Sequence, residues 1–170
     1  VIASGENWIE FVNWTVENDW SGVENLAFIP GSVGAAAVGN IAAYGGHVED
    51  VIESVAAIEL SSGQLHQFSK KDLKFGYRES IFTKELKNGY FLTSVTIKLS
   101  KKAKYDTNYH SRYESLSTYL PNHSDTSFSP KEIVEAVTKI RLDKLPDWRK
   151  VGTAGSFFKN PIVKKQKALD

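Results

Sequence analysis

Neither cysteine nor methionine occurs in the 170 residues of this sequence. Because cysteine is absent, a disulfide framework, a thiolate metal site and a cysteine nucleophile are all excluded. The other candidate metal ligands, His47, His66, His110 and His123, have no metal-ligand spacing and lie in polar contexts. We therefore predict no metal site, and we expect these histidines at the surface without a functional role.

The sequence also lacks an excess of one charge and a long apolar run. Its 21 Lys and Arg against 20 Asp and Glu give a net charge of +1, which provides no strong basic field for nucleic acid or an anionic membrane. No segment approaches the roughly 18 apolar residues of a membrane span, and no signal peptide is evident. We expect a cytoplasmic protein with neither nucleic acid nor a membrane as partner, and the sequence indicates no oligomeric state.

What is present predicts a packed domain with both helices and strands, since 41% of the residues are hydrophobic and 12% are aromatic. In NWIEFVNWTVEND, Asn7 is a typical N-cap, and Ile9, Val12 and Val16 recur at helical spacing. This pattern predicts a helix that buries those three side chains.

A second helix is predicted by SPKEIVEAVTKIRL. Ser129 is the expected N-cap, followed by Pro130 and by a capping-box glutamate at 132. The apolar face comprises Ile133, Val137 and Ile140. The helix is expected to end before Pro146.

Three segments have the β-branched and aromatic content of strands. Residues 51–60 and 65–68 flank the turn SSGQ and predict a hairpin, and residues 90–99 predict a further antiparallel strand. The polar, tyrosine-rich stretch 104–128 is expected to be a loop with one short helix at 112–119.

The run IPGSVGAAAVGNIAAYGG, residues 29–46, is too rich in Gly and Ala for an ordinary strand or helix. Glycine permits a close approach of the backbone, either to a ligand such as a pyrophosphate or to a neighbouring helix. The run is neither a nucleoside-triphosphate P-loop nor a strand-linked GxGxxG motif. From composition alone, a ligand loop and tight helix packing are equally good interpretations.

Two polar residues have neighbours that would allow a catalytic or ligand-binding role. Arg78, in FGYRES, follows an aromatic pair in an expected turn, where a guanidinium can bind a carboxylate or stabilise developing negative charge. The alternative is a surface ion pair with Glu79 or another acidic residue. Ser156, in GTAGSFFKNP, lies among glycines that permit a sharp turn, and it is either an oriented hydroxyl or an ordinary turn serine.

The combination of GENW, IPGSVGAAAVGNIAAYG, FGYRES, DKLPD and GTAGSFFKNP resembles the UDP-N-acetylenolpyruvoylglucosamine reductase family, type I. The resemblance extends from Ser4 to about Pro161. It implies an α+β fold, the second lobe of a vanillyl-alcohol-oxidase-like FAD-binding domain, with an antiparallel sheet of about five strands flanked by helices. Residues 1–147 would form this lobe, and residues 148–170 would begin the substrate-binding C-terminal domain.

The family's N-terminal GGGSN flavin loop and its C-terminal catalytic glutamate have no counterpart here. We therefore expect the chain to correspond to the middle of such an enzyme. By itself it is expected to bind FAD weakly or not at all, because half of a cleft forfeits contacts, and to be inactive.

The resemblance implies that one stretch of the chain lies along the FAD. The cofactor-binding residues would be Ile29, Pro30, Gly31, Ser32, Gly34, Val38, Asn40 and Ala42.

Catalytic and substrate-binding roles follow from the same resemblance. Arg78 would stabilise the enolate, Ser156 would donate a proton to carbon, and Tyr109, Lys144 and Asn160 would contact the UDP-sugar. NADPH would reduce FAD, and the product would be UDP-N-acetylmuramate for peptidoglycan synthesis. Two alternatives remain: another enzyme of the FAD-linked oxidase superfamily, or a non-catalytic binding module on the same scaffold.

Overall fold

A computed structural model describes residues 1–102, 116–120, 128–153 and 158–163. Within these ranges the helices and strands are, in chain order, β1 (Ile2–Ala3), α1 (Trp8–Glu17), α2 (Val33–Val38), β2 (Ala42–Ala43), β3 (Gly46–His47), β4 (Ile52–Glu59), β5 (Leu65–Ser69), β6 (Tyr90–Ile97) and α3 (Pro130–Lys144). One-turn 3-10 helices lie at Glu24–Leu26, Val48–Asp50, Ile81–Thr83 and Leu116–Thr118. None of the helices described is both long and apolar enough to cross a membrane.

The central element is an antiparallel sheet with the strand order β1-β6-β4-β5. The predicted hairpin is confirmed, because β4 and β5 pair from Ser54 opposite Ser69 to Ile58 opposite Leu65. Strand β6 was also predicted, and it lies between β1 and β4. The α+β fold with an antiparallel sheet is therefore confirmed, although the described sheet has four strands where about five were expected.

The difference arises because β2 and β3 form a separate two-stranded ribbon. Ala43 pairs with Gly46, so Tyr44 and Gly45 are the two turn residues between them. Both have positive φ, 48° and 82°. Two consecutive left-handed residues match the twist of a tight hairpin, in which glycine is favoured because it lacks a Cβ.

The Gly/Ala-rich run also contains a helix, contrary to the expectation that it was too rich in small residues for one. Ser32 is the N-cap of α2, and its Oγ accepts a hydrogen bond from Ala35 N at 3.2 Å. Three consecutive alanines, which have the highest helix propensity, follow at 35–37. The helix contacts β1 and β6.

Helix α1 begins at the predicted cap, since Asn7 Oδ1 accepts hydrogen bonds from the backbone nitrogens of Ile9 and Glu10. Its buried face differs from the predicted one: it comprises Trp8, Phe11, Val12 and Thr15. Ile9 and Val16 are only partly buried. Trp8 takes their place because its indole fills the core and its Nε1 donates to Leu26 O at 2.9 Å.

Helix α3 has the predicted capping box, with Ser129 and Glu132 bonded reciprocally, and its predicted apolar face is buried. Near its end, Arg141 Nε donates to Phe28 O at 2.9 Å. Burial lowers the pKa of Arg141, opposed by an interaction with Tyr44. The guanidinium thus joins α3 to the segment that leads into α2.

His66 departs from the prediction of surface histidines. Its ring is half-buried and packs edge-on against Tyr90, with ring centroids 5.6 Å apart. His66 Nε2 lies 3.9 Å from Glu59 Oε2. His47 is exposed as expected, and His110 and His123 lie outside the described residues.

The contact between α2 and β1 generates a stability prediction. A Cβ added at Gly34 would lie 2.7 Å from Ser4 Cβ, closer than such atoms can pack, and 3.1 Å from Ser4 O, a tight contact. We expect Gly34→Ala to lower the free energy of unfolding by about 1–3 kcal/mol, the usual cost of overpacking, as measured by urea denaturation.

The matched control is Gly39→Ala at the C-cap of the same helix. Its added Cβ would meet nothing closer than Ala35 O at 3.5 Å, an ordinary contact, and its φ is −86°. We expect little change for this variant. Equal losses for the two variants would contradict the steric explanation.

Candidate functional site

A pocket of about 530 Å³ lies between the turn that follows α2 and the loop 76–79. Its lining comprises Asn40, Ala42, Ala43, Tyr44, Gly45, Gly46, His47, Glu49, Gly76, Tyr77, Arg78 and Asn160. Four predicted site residues, Asn40, Ala42, Arg78 and Asn160, are therefore brought together.

Asn40 connects the two sides of this pocket. Its side chain is buried, and its Nδ2 donates to Gly76 O at 2.9 Å and to Glu49 Oε2 at 2.8 Å. Its Oδ1 is equally buried and accepts no hydrogen bond within the described part of the chain. A buried acceptor without a donor is costly, so a ligand that donates an N–H or O–H would stabilise this arrangement.

The loop that carries Arg78 is closed by its own backbone. Gly76 N donates to Glu79 O at 3.0 Å, and Glu79 N donates to Gly76 O at 3.2 Å. Ser80 Oγ then donates to Val38 O at 2.7 Å, which fixes the loop to the end of α2. The expected turn is confirmed, and Arg78 adopts a φ of 56° within it.

Arg78 does not form the surface ion pair that was its alternative interpretation. Its Nη2 donates to Ala42 O at 2.6 Å, and its guanidinium lies 5.9 Å from the centre of the Tyr77 ring. Within the described residues no acidic side chain forms an ion pair with it. The exposed guanidinium therefore keeps donors for an anionic ligand at the pocket, since it has five N–H groups in all.

Glu79 instead binds two lysines. Its Oε1 lies 2.5 Å from Lys84 Nζ, and its Oε2 lies 3.2 Å from Lys159 Nζ. The hydrogen bonds from Lys84 and then Lys159 lower the pKa of the Glu79 carboxyl. Lys159 was not predicted as a site residue, although it directly precedes Asn160 in the motif FFKNP.

The other predicted site residues are distributed differently. Lys144 is the exposed last residue of α3 and does not line this pocket. Ser156 and Tyr109 lie outside the described residues, so their roles remain predictions.

The remaining cofactor-binding candidates lie before and within α2. Pro30 and Gly31 are exposed, Ile29 and Ser32 are half-buried, and Val38 is partly buried at the end of the helix. Gly34 is the exception, because it faces Ser4. Tight packing is therefore confirmed at Gly34, and a ligand surface on either side of it stays a prediction.

Comparison with known proteins shows which families this chain is similar to. Residues 1–69 match the family described as FAD binding domain. The chain is 42% identical over 98% of its length to the UDP-N-acetylenolpyruvoylglucosamine reductase of Amoebophilus asiaticus, and 42% identical over 96% of its length to that of Bdellovibrio bacteriovorus. The sequence resemblance to UDP-N-acetylenolpyruvoylglucosamine reductases is confirmed. So is the prediction of an FAD-binding domain.

These matches cover only part of each relative. The chain spans about half the length of the curated relatives it matches, 48% and 47% for the two named above. The crystal structure of the Thermus caldophilus UDP-N-acetylenolpyruvylglucosamine reductase aligns with 85% of this chain and 43% of its own, with a TM-score of 0.58 and 24% identity. That similarity supports the fold.

The ion pairs of Glu79 generate a prediction for pH dependence. Because the folded-state pKa of Glu79 lies below its ordinary value of 4.5, its contribution to stability is present above pH 4.5 and is lost as the pH falls through the folded-state pKa. Lys84 and Lys159 are the cationic side chains that face it. We expect the parent to have a higher free energy of unfolding than Glu79→Gln at neutral pH, and the difference to close in acid.

Urea denaturation of both chains between pH 7 and pH 3 measures this difference. A difference that stays constant down to pH 3 would show that the carboxylate charge is not its source.

Proposed function

We propose that this chain supplies part of the flavin cleft and of the substrate site of a UDP-N-acetylenolpyruvoylglucosamine reductase. The observation that carries the proposal is the convergence of Asn40, Ala42, Arg78 and Asn160 on one pocket. The FAD binding domain match and the names of the relatives support it. The proposed location is the cytoplasm.

The residues present fit a flavin. The unpartnered Oδ1 of Asn40 is an acceptor for a ligand N–H or hydroxyl, and the left-handed turn at Tyr44 and Gly45 lines the same pocket. Asn40, Ala42 and Val38 would hold FAD on one side, and Ile29, Pro30, Gly31 and Ser32 on the approach to α2. When bound, FAD would supply the hydride-transfer chemistry between NADPH and the enolpyruvyl double bond.

Arg78 would bind the carboxylate next to that double bond. During reduction, negative charge develops on this carboxylate as the enolate forms, so a guanidinium stabilises the transition state more than the ground state. The 2.6 Å hydrogen bond from Arg78 Nη2 to Ala42 O orients the guanidinium beside the cofactor-binding residues. Orientation before reaction is what makes such stabilisation effective.

Ser156 would complete the reduction. Hydride on one carbon must be matched by a proton on its neighbour to give the lactyl ether of UDP-N-acetylmuramate. A hydroxyl acting as proton donor must lie within about 3.5 Å of that carbon. Ser156 follows Gly155 in the motif AGSFF, which precedes Lys159 and Asn160 at the pocket.

Asn160 would contact the UDP-sugar from the pocket wall, together with Tyr109 and Lys144. In this proposal residues 148–170 begin the substrate-binding domain, and residues 1–147 form the second FAD-binding lobe. The close packing of Trp148 on Phe28, with ring centroids 5.0 Å apart, would then join the two parts.

The test separates the two half-reactions in the full-length, flavin-loaded protein. We expect Ser156→Ala to leave flavin reduction by NADPH nearly unchanged and to slow reoxidation by the enolpyruvyl substrate by about 10²–10⁴-fold, because only this half needs a proton on carbon. Stopped-flow absorbance of the flavin measures both steps.

Arg78→Ala is expected to slow the same half-reaction and also to weaken substrate binding, since the carboxylate is present in both ground and transition states. Lys74→Ala, on an exposed side chain outside the pocket, is the control and should match the parent. Reoxidation of Ser156→Ala at the parent rate would overturn the role of the serine. Failure of the parent to be reoxidised by this substrate would favour another FAD-linked oxidase or a non-catalytic module.

A further inference from the structure

The pocket includes a residue from a distant part of the chain. Asn160 belongs to segment 158–163, which has no helix or strand, yet it lines the same pocket as Arg78. The contacts that hold this segment near the loop 76–79 come from its neighbour. Lys159 Nζ lies 3.2 Å from Glu79 Oε2 and 5.4 Å from the centre of the Tyr77 ring.

We propose that Glu79 is a positioning residue of the substrate site, which docks segment 158–163 onto the loop of Arg78 through its ion pair with Lys159. The effect on substrate KM rests on the proposed function, whereas the docking of segment 158–163 does not. Glu79 does not line the pocket, so it would act through Asn160 and Arg78 rather than on the substrate.

The geometry of Glu79 suits this role better than that of a solitary surface ion pair. Its side chain is only 27% exposed, and both of its carboxylate oxygens form ion pairs. One binds Lys84, which lies five residues further along the chain, and the other binds Lys159 of segment 158–163. The Gly76–Glu79 backbone pair fixes the position from which the carboxylate projects. Because Lys84 already holds the carboxylate, forming the second pair with Lys159 restricts less additional side-chain freedom of Glu79.

The adjacent loop provides a matched control. Glu85 Oε1 lies 3.2 Å from Lys74 Nζ, the same separation as the Glu79–Lys159 pair, but these side chains are 52% and 60% exposed and neither lies at the pocket. Glu85→Gln therefore removes an ion pair and a charge of the same kind without affecting segment 158–163.

Spin labels test the docking directly. The 170 residues contain no cysteine, so Lys87→Cys and Ile162→Cys, both at exposed positions, introduce two unique labelling sites here. In the full-length protein, with any cysteine elsewhere replaced by serine, pulsed electron resonance gives the distribution of label distances. We expect a narrow distance distribution in the parent and in Glu85→Gln. The distribution should be at least about twofold wider in Glu79→Gln and in Lys159→Gln, and narrow again in Glu79→Asp.

Kinetics test the positioning. Because Asn160 would contact the UDP-sugar, Glu79→Gln should raise the KM for that substrate by about two- to fivefold, the range for a partly exposed ion pair, while kcat and the rate of flavin reduction by NADPH stay near the parent values. Glu79→Asp should restore KM, and Glu85→Gln should leave it unchanged. A merely structural role would instead reduce the active fraction and lower both half-reactions with KM unaltered.

The two readouts separate the possible failures. An unchanged distance distribution in Glu79→Gln would overturn the docking, whatever the kinetics. A wider distribution with an unchanged KM would overturn the positioning role. If the parent does not reduce the enolpyruvyl substrate at all, the proposed function fails, whereas the label distances still decide whether Glu79 docks the segment.

Discussion

The candidate site depends on the side chain of Asn40. One buried amide donates both to Gly76 O and to Glu49 Oε2, and it thereby joins the turn after α2 to the loop of Arg78, 36 residues further along the chain. Neither backbone segment is regular at these points, so no ladder of hydrogen bonds could hold them together. Without the amide, Gly76 O would keep only the hydrogen bond from Glu79 N, and the loop would be joined to the α2 side only by the bonds from Ser80 Oγ to Val38 O and from Arg78 Nη2 to Ala42 O.

The backbone around the pocket is held in conformations that L-residues seldom adopt. Asn40, Tyr44 and Arg78 have φ values of 43°, 48° and 56°, and all three line the pocket. Such residues cost on the order of 1 kcal/mol or more each and persist only where their surroundings fix them. Among the described residues, four other non-glycine residues with positive φ lie elsewhere, so the strain is concentrated at the pocket but not confined to it.

Local chemistry made much of the fold predictable. Asn7 and Ser129 cap helices because their side chains can accept from the first-turn amides, and the SSGQ turn joins two β-rich segments that pair as a hairpin. The candidate site was harder to predict from the sequence. Composition gave no reason to choose between a ligand surface and tight packing for the Gly/Ala run, and the partner of Glu79 is 80 residues away in sequence. Such a pair is determined by tertiary structure, which no local pattern encodes.

The close packing of the Gly/Ala run fixes the geometry of the candidate site. Gly34 brings α2 close to Ser4, where any side chain would clash, and this contact sets the position of the helix end. Val38 O, at that end, accepts from Ser80 Oγ, and Asn40 follows two residues later. Helix α2 therefore fixes the position of the loop of Arg78, and the packing of Gly34 fixes the position of α2. Tight packing at one residue thus defines the geometry of the pocket wall a few residues further on.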